Sequence, residues 1–168
     1  MKSLMIFAVV SIVAMTACGQ KVNTQSPVAK VSGTTASGTT INIRYNQPSV
    51  RGRSIGKDLE PLPGKVWRTG ADSATAFEIS KDVKVEGKSL PAGKYGLFTI
   101  ANGDDWTIIF NKTWKQWGAF TYKETDDVLR VNVKAGKTAT FAEKFTITVK
   151  DGKVNLVWGN SDVSFKVE

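Results

Sequence analysis

The side chains best equipped for chemistry gather in one stretch, PSVRGRS followed by GKVWRTGADSAT, where Arg51, Arg53, Lys65 and Arg68 stand near the indole of Trp67. Arginine presents a planar fork of donors matched to carboxylate, sulfate or phosphate, and tryptophan offers a flat apolar face to a ring. Thr69, Asp72 and Thr75 add further hydrogen-bonding groups. Together Arg51, Arg53, Lys65, Trp67, Arg68, Thr69, Asp72 and Thr75 form a candidate site for a small anionic or sugar-like ligand. The same residues also support a purely architectural reading. In it, Arg51 and Arg53 pair with Asp58, Glu60 or Asp72 to brace a long loop, Trp67 anchors the core, and the glycines permit turns. Composition leaves both open.

A second cluster joins Trp114 and Trp117 to Lys112 and Lys115. It reads as an aromatic platform for a saccharide or, because the indoles are three apart, as one helical turn burying both. The buried arrangement is the one expected. Glycoside hydrolysis needs two facing acids and no histidine. Asp104-Asp105 and Asp126-Asp127 lie in turn-like polar contexts, and nothing ties Asp72 to Glu78.

What is absent narrows the chemistry further. The chain has no histidine, so a Ser-His-Asp triad, an imidazole base and a His-ligated zinc site are excluded. Cys18 is the sole cysteine, and there is no glycine-rich phosphate loop. No catalytic residue, metal or cofactor is expected, and an enzyme is the less favoured reading. The balance of 23 Lys and Arg against 15 Asp and Glu is basic, but the cations are spread along the chain without a block. A solvated surface follows, with mild attraction to anionic lipid or glycan and no nucleic-acid partner.

The elements that must position these groups are short strands. Val28 to Thr34 and Thr39 to Tyr45 flank an Ala36-Ser37-Gly38 turn, and Ile41, Ile43 and Tyr45 alternate with Asn42 and Arg44 to give one buried face. Residues 75–79, 83–85, 94–100, 106–111, 128–133, 143–150, 153–158 and 163–167 complete about ten strands, with Asp151-Gly152 a hairpin turn. The expectation is an all-β, antiparallel sandwich or jelly-roll-like domain with one or two short helical turns. Two stretches break the pattern, Gln47 to Ala74 and Lys112 to Ala119, the second a helical turn or a wide loop. Long irregular segments on a β scaffold are either disordered or functional, and a site is expected in one of these two.

The N-terminus carries an address. Lys2 precedes an uncharged, largely apolar run from Leu4 to Met15, which is signal-peptide-like and too short to span a bilayer. Met15-Thr16-Ala17-Cys18 resembles a lipobox. Residues 1–17 are then a cleaved leader, Cys18 carries the lipid, residues 18–26 include a polar tether reaching roughly 16 Å, and residues 27–168 form one domain. No aspartate follows Cys18 and no acidic run opens the mature chain, so the expected place is the outer membrane, facing the periplasm.

The segments INIRYNQPSVRGRSI, GKVWRTGADSATAFEISKDVKVEGKSLPAGKYGLFTI, DWTIIFNKTWKQWG and DDVLRVNV resemble a family of exported proteins common in Bacteroidota that carries a domain of unknown function. The resemblance covers the chain from about Ser26 onward. It implies a secreted or lipid-anchored β domain with no assigned activity. Two places depart from the family pattern. Ala71-Asp72-Ser73 stands where Ala-Asn-Glu is usual, and Glu60-Pro61-Leu62-Pro63-Gly64 replaces a version containing an aromatic residue. The function expected is a non-enzymatic ligand-binding lipoprotein of the cell envelope. A protein-interaction module and a carboxylate-based glycan hydrolase stand as the alternatives, and the oligomeric state is open.

Overall fold

The computed structural model describes residues 26–168, so the expected leader, Cys18 and most of the tether lie outside the described residues. Strand β1 (Val28–Thr34) turns into β2 (Thr40–Asn46) in a hairpin pairing Val31 with Ile43 and Lys30 with Arg44. The alternation of β2 works as its sequence requires: Ile41, Ile43 and Tyr45 are buried while Asn42 and Arg44 face out. Next come β3 (Val66–Trp67), β4 (Thr75–Ile79), β5 (Val83–Val85), β6 (Lys88–Leu90), β7 (Gly93–Asn102) and β8 (Asp105–Asn111). The long β9 (Asp127–Lys150) and β10 (Lys153–Lys166) close the chain. The main sheet is antiparallel in the order β1-β2-β4-β7-β8-β9-β10, with β3 beside β7 and β5-β6 a separate ribbon.

The sheet curls because β9 has two partners. Its first residues pair with β8, from Asp127 opposite Asn111 to Lys134 opposite Asp105, and the remainder pairs with β10 through two register shifts. Further along, the Val50 N–H donates to the Glu143 carbonyl at 2.9 Å and the Phe145 N–H to that of Pro48 at 3.0 Å, so the segment after β2 pairs with β9 as well. At Gly33 a Cβ would stand 2.5 Å from Val149 Cγ1, so β1 can approach β9 only because that position lacks a side chain. The enclosed face holds Phe77, Phe110 and Phe165 in mutual contact, and Phe145 meets Tyr45, Trp67 and Trp158 edge-on. A smaller cluster of Ala74, Phe98 and Ile109, with Val66, Ile100, Ala119 and Tyr122 against it, forms a second core.

The domain is therefore all-β, antiparallel and sandwich-like, as the turn spacing requires. The ten strands are distributed differently from the expectation. Residues 128–133 and 143–150 belong to one strand of 24 residues, and 153–158 and 163–167 merge almost entirely into another. The joining stretch from Lys134 to Lys144 is largely exposed on both faces, so it carries no apolar alternation to mark it as strand. Residues 112–119 form a loop, and the one helical turn among the described residues is a 3₁₀ turn at Glu124–Asp126. No helix among the described residues is long and apolar enough to cross a membrane.

Candidate functional site

The first irregular loop brings together only part of the expected cluster. Arg53, Trp67 and Arg68 border a cleft of about 250 Å³ with Asp58, Glu60 and Trp158, a balanced set of two cations and two acids. Within it the cations and the Trp67 indole are each engaged at least once, while the buried Arg68 Nε has no partner among the described residues. Trp67 is buried to 1 % exposure, and its indole N–H donates to the Gly70 carbonyl at 2.9 Å. Arg53 donates to the carbonyls of Val50 at 3.1 Å and Ser49 at 2.9 Å, and Arg68 pairs with Glu60 at 3.4 Å. Arg51 is an exposed turn residue with φ of 49° whose backbone N–H meets the Glu143 carboxylate, and Lys65 is exposed in another turn. Neither lines the cleft.

Thr69, Asp72 and Thr75 shape the backbone. Thr69 (φ 54°) and Asp72 (φ 56°) occupy the left-handed region that β-branched residues in particular avoid. The fully buried Thr75 hydroxyl donates to the Thr69 carbonyl at 2.6 Å, while the Thr69 hydroxyl reaches that of Thr99 at 3.2 Å. Asn46 then holds the Asp72 carboxylate at 3.3 Å. The turn so fixed aims the Asp72 carbonyl at the Gly118 N–H, 2.8 Å away, and lets the Ala74 N–H reach the Gln116 carbonyl at 3.0 Å. Its product is the seating of the second loop.

That second loop walls a groove on the outward face of β1, β2, β4 and β7. Register places Lys30, Arg44, Ala76 and Gly96 in one row across the strands, and Ser32, Asn42, Glu78 and Lys94 in the next. The central depression, about 530 Å³, is lined by Arg44, Ala74, Ala76, Lys94, Trp114 and Trp117, with Ser73, Lys115 and Gln116 completing it. It continues into smaller depressions that share Arg44, one toward Lys30, Asn42 and Glu78 and one toward Ser26, Asn46 and Asp72. Ala76 of β4 and Ala74 just before it make the floor, and Gly96 lets the wall descend. A Cβ there would stand 2.7 Å from Phe98, 3.2 Å from the Thr113 carbonyl and 3.3 Å from Trp114 Cα.

The indoles face solvent, contrary to the expectation that a helical turn would bury them. Trp114 is 37 % and Trp117 64 % exposed. No helical turn forms because residues 112–118 bond outward instead, Trp117 bridging to Ser73. Lys94 lies 4.2 Å over the Trp114 ring and 3.4 Å from Glu78, while Arg44 and Lys115 form no ion pair among the described residues. Arg44 could have been placed on this face from the alternation of β2, and the tryptophans were visible as a pair. Ala76, Lys94 and Gly96 carry no local signal, since only strand register gathers them.

A polar knot holds the loop. The fully buried Asn111 amide donates to the Asp127 carboxylate at 2.8 Å and to the Lys123 carbonyl at 3.0 Å, and its oxygen accepts the Thr113 N–H at 2.9 Å. Tyr122 and Arg130 each reach the other Asp127 oxygen at 2.6 Å. Burial, reinforced by the bond to Asp127, pushes the Tyr122 hydroxyl up to about 12. Bonds from Thr113 and Lys112 hold the Asp126 carboxyl below its ordinary range. The paired acids of the sequence are thus spoken for: Asp104 and Asp105 meet Lys137 and Lys134, and Asp126 and Asp127 meet Lys112 and Arg130.

A curled antiparallel sheet with a loop-walled groove on its outer face defines a β domain built around one concave, aromatic-edged surface. Residues 26–167 match the family described as "Protein of unknown function (DUF2911)", and the chain belongs to that family. Neither a curated protein nor a solved structure matches it.

Proposed function

We propose that this is a lipid-anchored envelope protein whose domain binds, without catalysis, a small anionic or sugar-like ligand in the groove between Arg44, Lys94, Trp114 and Trp117. The observation that carries this reading is the conjunction of two exposed indoles with Arg44 and Lys115, which lack an acidic partner among the described residues, over a floor of alanines. An indole face stacks on the apolar side of a sugar ring, and a guanidinium fork meets carboxylate, sulfate or phosphate. The volume lies in the range of small-ligand sites. The groove replaces the Arg51–Thr75 cluster as the preferred site because, although Lys94 pairs with Glu78, Arg44 and Lys115 form no ion pair among the described residues.

The test is a fluorescence titration of the domain from Ser26 onward with uronic acids, sugar phosphates and sulfated sugars. Saturable change in indole emission, lost in Trp117→Ala and Arg44→Ala but kept in Arg53→Ala and Arg68→Ala, is the expected result. The reverse pattern moves the site to the cleft beside Glu60. Silence toward every anionic sugar removes the reading.

The anchor is part of the same proposal. Support comes from Lys2, the apolar run to Met15 and a lone cysteine placed where a lipobox requires it, with outer-membrane placement resting on the lack of an aspartate after Cys18. Globomycin should make the unprocessed precursor accumulate, and unchanged processing would remove the lipoprotein assignment.

A further inference from the structure

The tip of the second loop exposes more apolar surface than a sugar groove uses. Phe120 is 86 % exposed and Trp117 64 %, and both follow Lys112 and Lys115 within the same loop. These are large aromatic rings with no covering neighbour, beside cations, on a domain whose other aromatic residues lie mostly in the core. Their position relative to the chain's start supplies the occupant. Ser26 and Trp117 border the same depression, and the Asn46 amide fixes the Ser26 carbonyl at 3.1 Å. Eight residues, Gly19 to Ser26, separate Cys18 from that point, a span of at most about 28 Å even when fully extended.

We infer that the bilayer itself is the partner of this tip, with Phe120 and Trp117 seated at the headgroup level of the membrane that holds Cys18 and with Lys115 facing its anionic lipids. The inference rests on the lipid-anchor reading. Indole rings favour the membrane–water interface, and lysines beside them are drawn to anionic headgroups. One acyl attachment at the end of a short tether fixes distance but not orientation. A second contact by the loop fixes both, so the same face always meets the membrane. The groove is not sealed by this posture. Its end at Ser32 and Asn42 lies about 20 Å along β1 from Ser26, counted at the rise of an extended strand, and opens to the aqueous phase.

The full chain, purified from a membrane fraction and reconstituted in vesicles of phosphatidylethanolamine and phosphatidylglycerol, tests this. Some of the vesicles carry lipids brominated high in the acyl chain. Trp67, Trp106 and Trp158 are buried, so quenching by bromine reports Trp114 and Trp117. Quenching of the exposed indoles is expected. It should largely disappear in Phe120→Asp, which leaves the indoles in place, and weaken when phosphatidylcholine replaces phosphatidylglycerol. Phe120 makes no core contact, so that variant is expected to melt with the parent. The mass of the protein and its flotation with the vesicles separate the two possible failures. A chain without acyl mass overturns the anchor and this inference together. An acylated, floating chain whose indoles brominated lipid does not quench, or whose quenching ignores Phe120→Asp, overturns the bilayer contact alone.

Discussion

Both irregular loops set indoles beside cations, yet the two arrangements end in opposite places. In the first, Trp67 is buried against Phe145, and Arg53 and Arg68 are spent on carbonyls and on Glu60. In the second, Trp114 and Trp117 stand against solvent, and Lys115 of the loop and Arg44 of the β2 face that it covers have no acidic partner among the described residues. The difference arises from what lies beneath each loop. Trp67 sits on β3, which pairs with β7 and points its ring into the curled sheet's interior. Residues 112–118 lie across the outer face, where the turn at Asp72 and the small Gly96 hold them. Residue type suggests what a cluster can bind, and only burial and prior engagement decide whether it is available to do so.

The largest effect that would break this contrast is on stability. Trp67→Ala should lose about 3–5 kcal/mol, the range for truncating a buried aromatic, whereas Trp117→Ala should change stability by less than about 0.5 kcal/mol. Denaturant unfolding of the two variants checks the pair. Equal losses would mean that Trp117 is also a core residue. Gly96→Ala comes next. Its methyl group would meet Phe98 and the backbone of Thr113 and Trp114, a clash with little slack, and overpacking of this kind costs about 1–3 kcal/mol. Because the strain lies under the loop, the variant should also weaken any ligand titration that depends on Trp117. Preserved binding at lowered stability would show that the wall does not need its seat.

How much of this could be read from residues depends on the range of the interaction. The class of fold was legible because Ile41, Ile43 and Tyr45 alternate and because turn residues recur at hairpin spacing. The length of β9 was not, since residues 134–144 pair without burying a face. Arg51, Arg53, Lys65 and Arg68 looked like a site because they are neighbours in the chain. Glu60 was named as a possible brace and does pair with Arg68, but nothing local shows that Arg53 turns back onto Val50 and Ser49. The groove was hidden for the converse reason. Arg44, Ala76, Lys94 and Trp117 come from three strands and a loop, and it is antiparallel register that sets them side by side.

The knot at Tyr122 offers a smaller, pH-dependent test of how firmly the second loop is held. The hydroxyl sits at about 12 in the folded chain against an ordinary value near 10, so its protonated form is the one the fold favours. For a group raised on folding, the stabilisation is complete below the unfolded value and is lost as pH rises through the folded one. Loop stability should therefore hold to about pH 10 and decline toward pH 12. Tyr95 is also raised, by burial and then by Asp82, so tyrosinate absorbance should show two late-ionising tyrosines, of which Tyr122→Phe removes the one near 12. That variant also forfeits the bond to Asp127, a loss of about 1 kcal/mol. Early ionisation of every tyrosine would mean that the knot is open in solution.

The smallest expected effects sharpen the comparison most, because they set Arg68 of the first loop beside Arg44 of β2, the cation of the groove that the second loop walls. Arg68 and Glu60 are partly exposed, at 24 % and 38 % of their side chains, so solvent screens their pairing. Arg68→Ala should lower stability by at most about 1 kcal/mol, the upper end for exposed pairs, and part of that loss should recur at high salt in the parent. Arg44→Ala removes no ion pair among the described residues, and in a sheet face of mixed charge it relieves crowding with Lys30 and Lys94. Its stability should stay within about 0.5 kcal/mol of the parent, with no added salt sensitivity. Thermal melts of both variants across a salt series settle the contrast. An Arg44 that behaves like Arg68 would have an acidic partner in solution, and the groove would lose the cation that distinguishes it from the cleft beside Glu60.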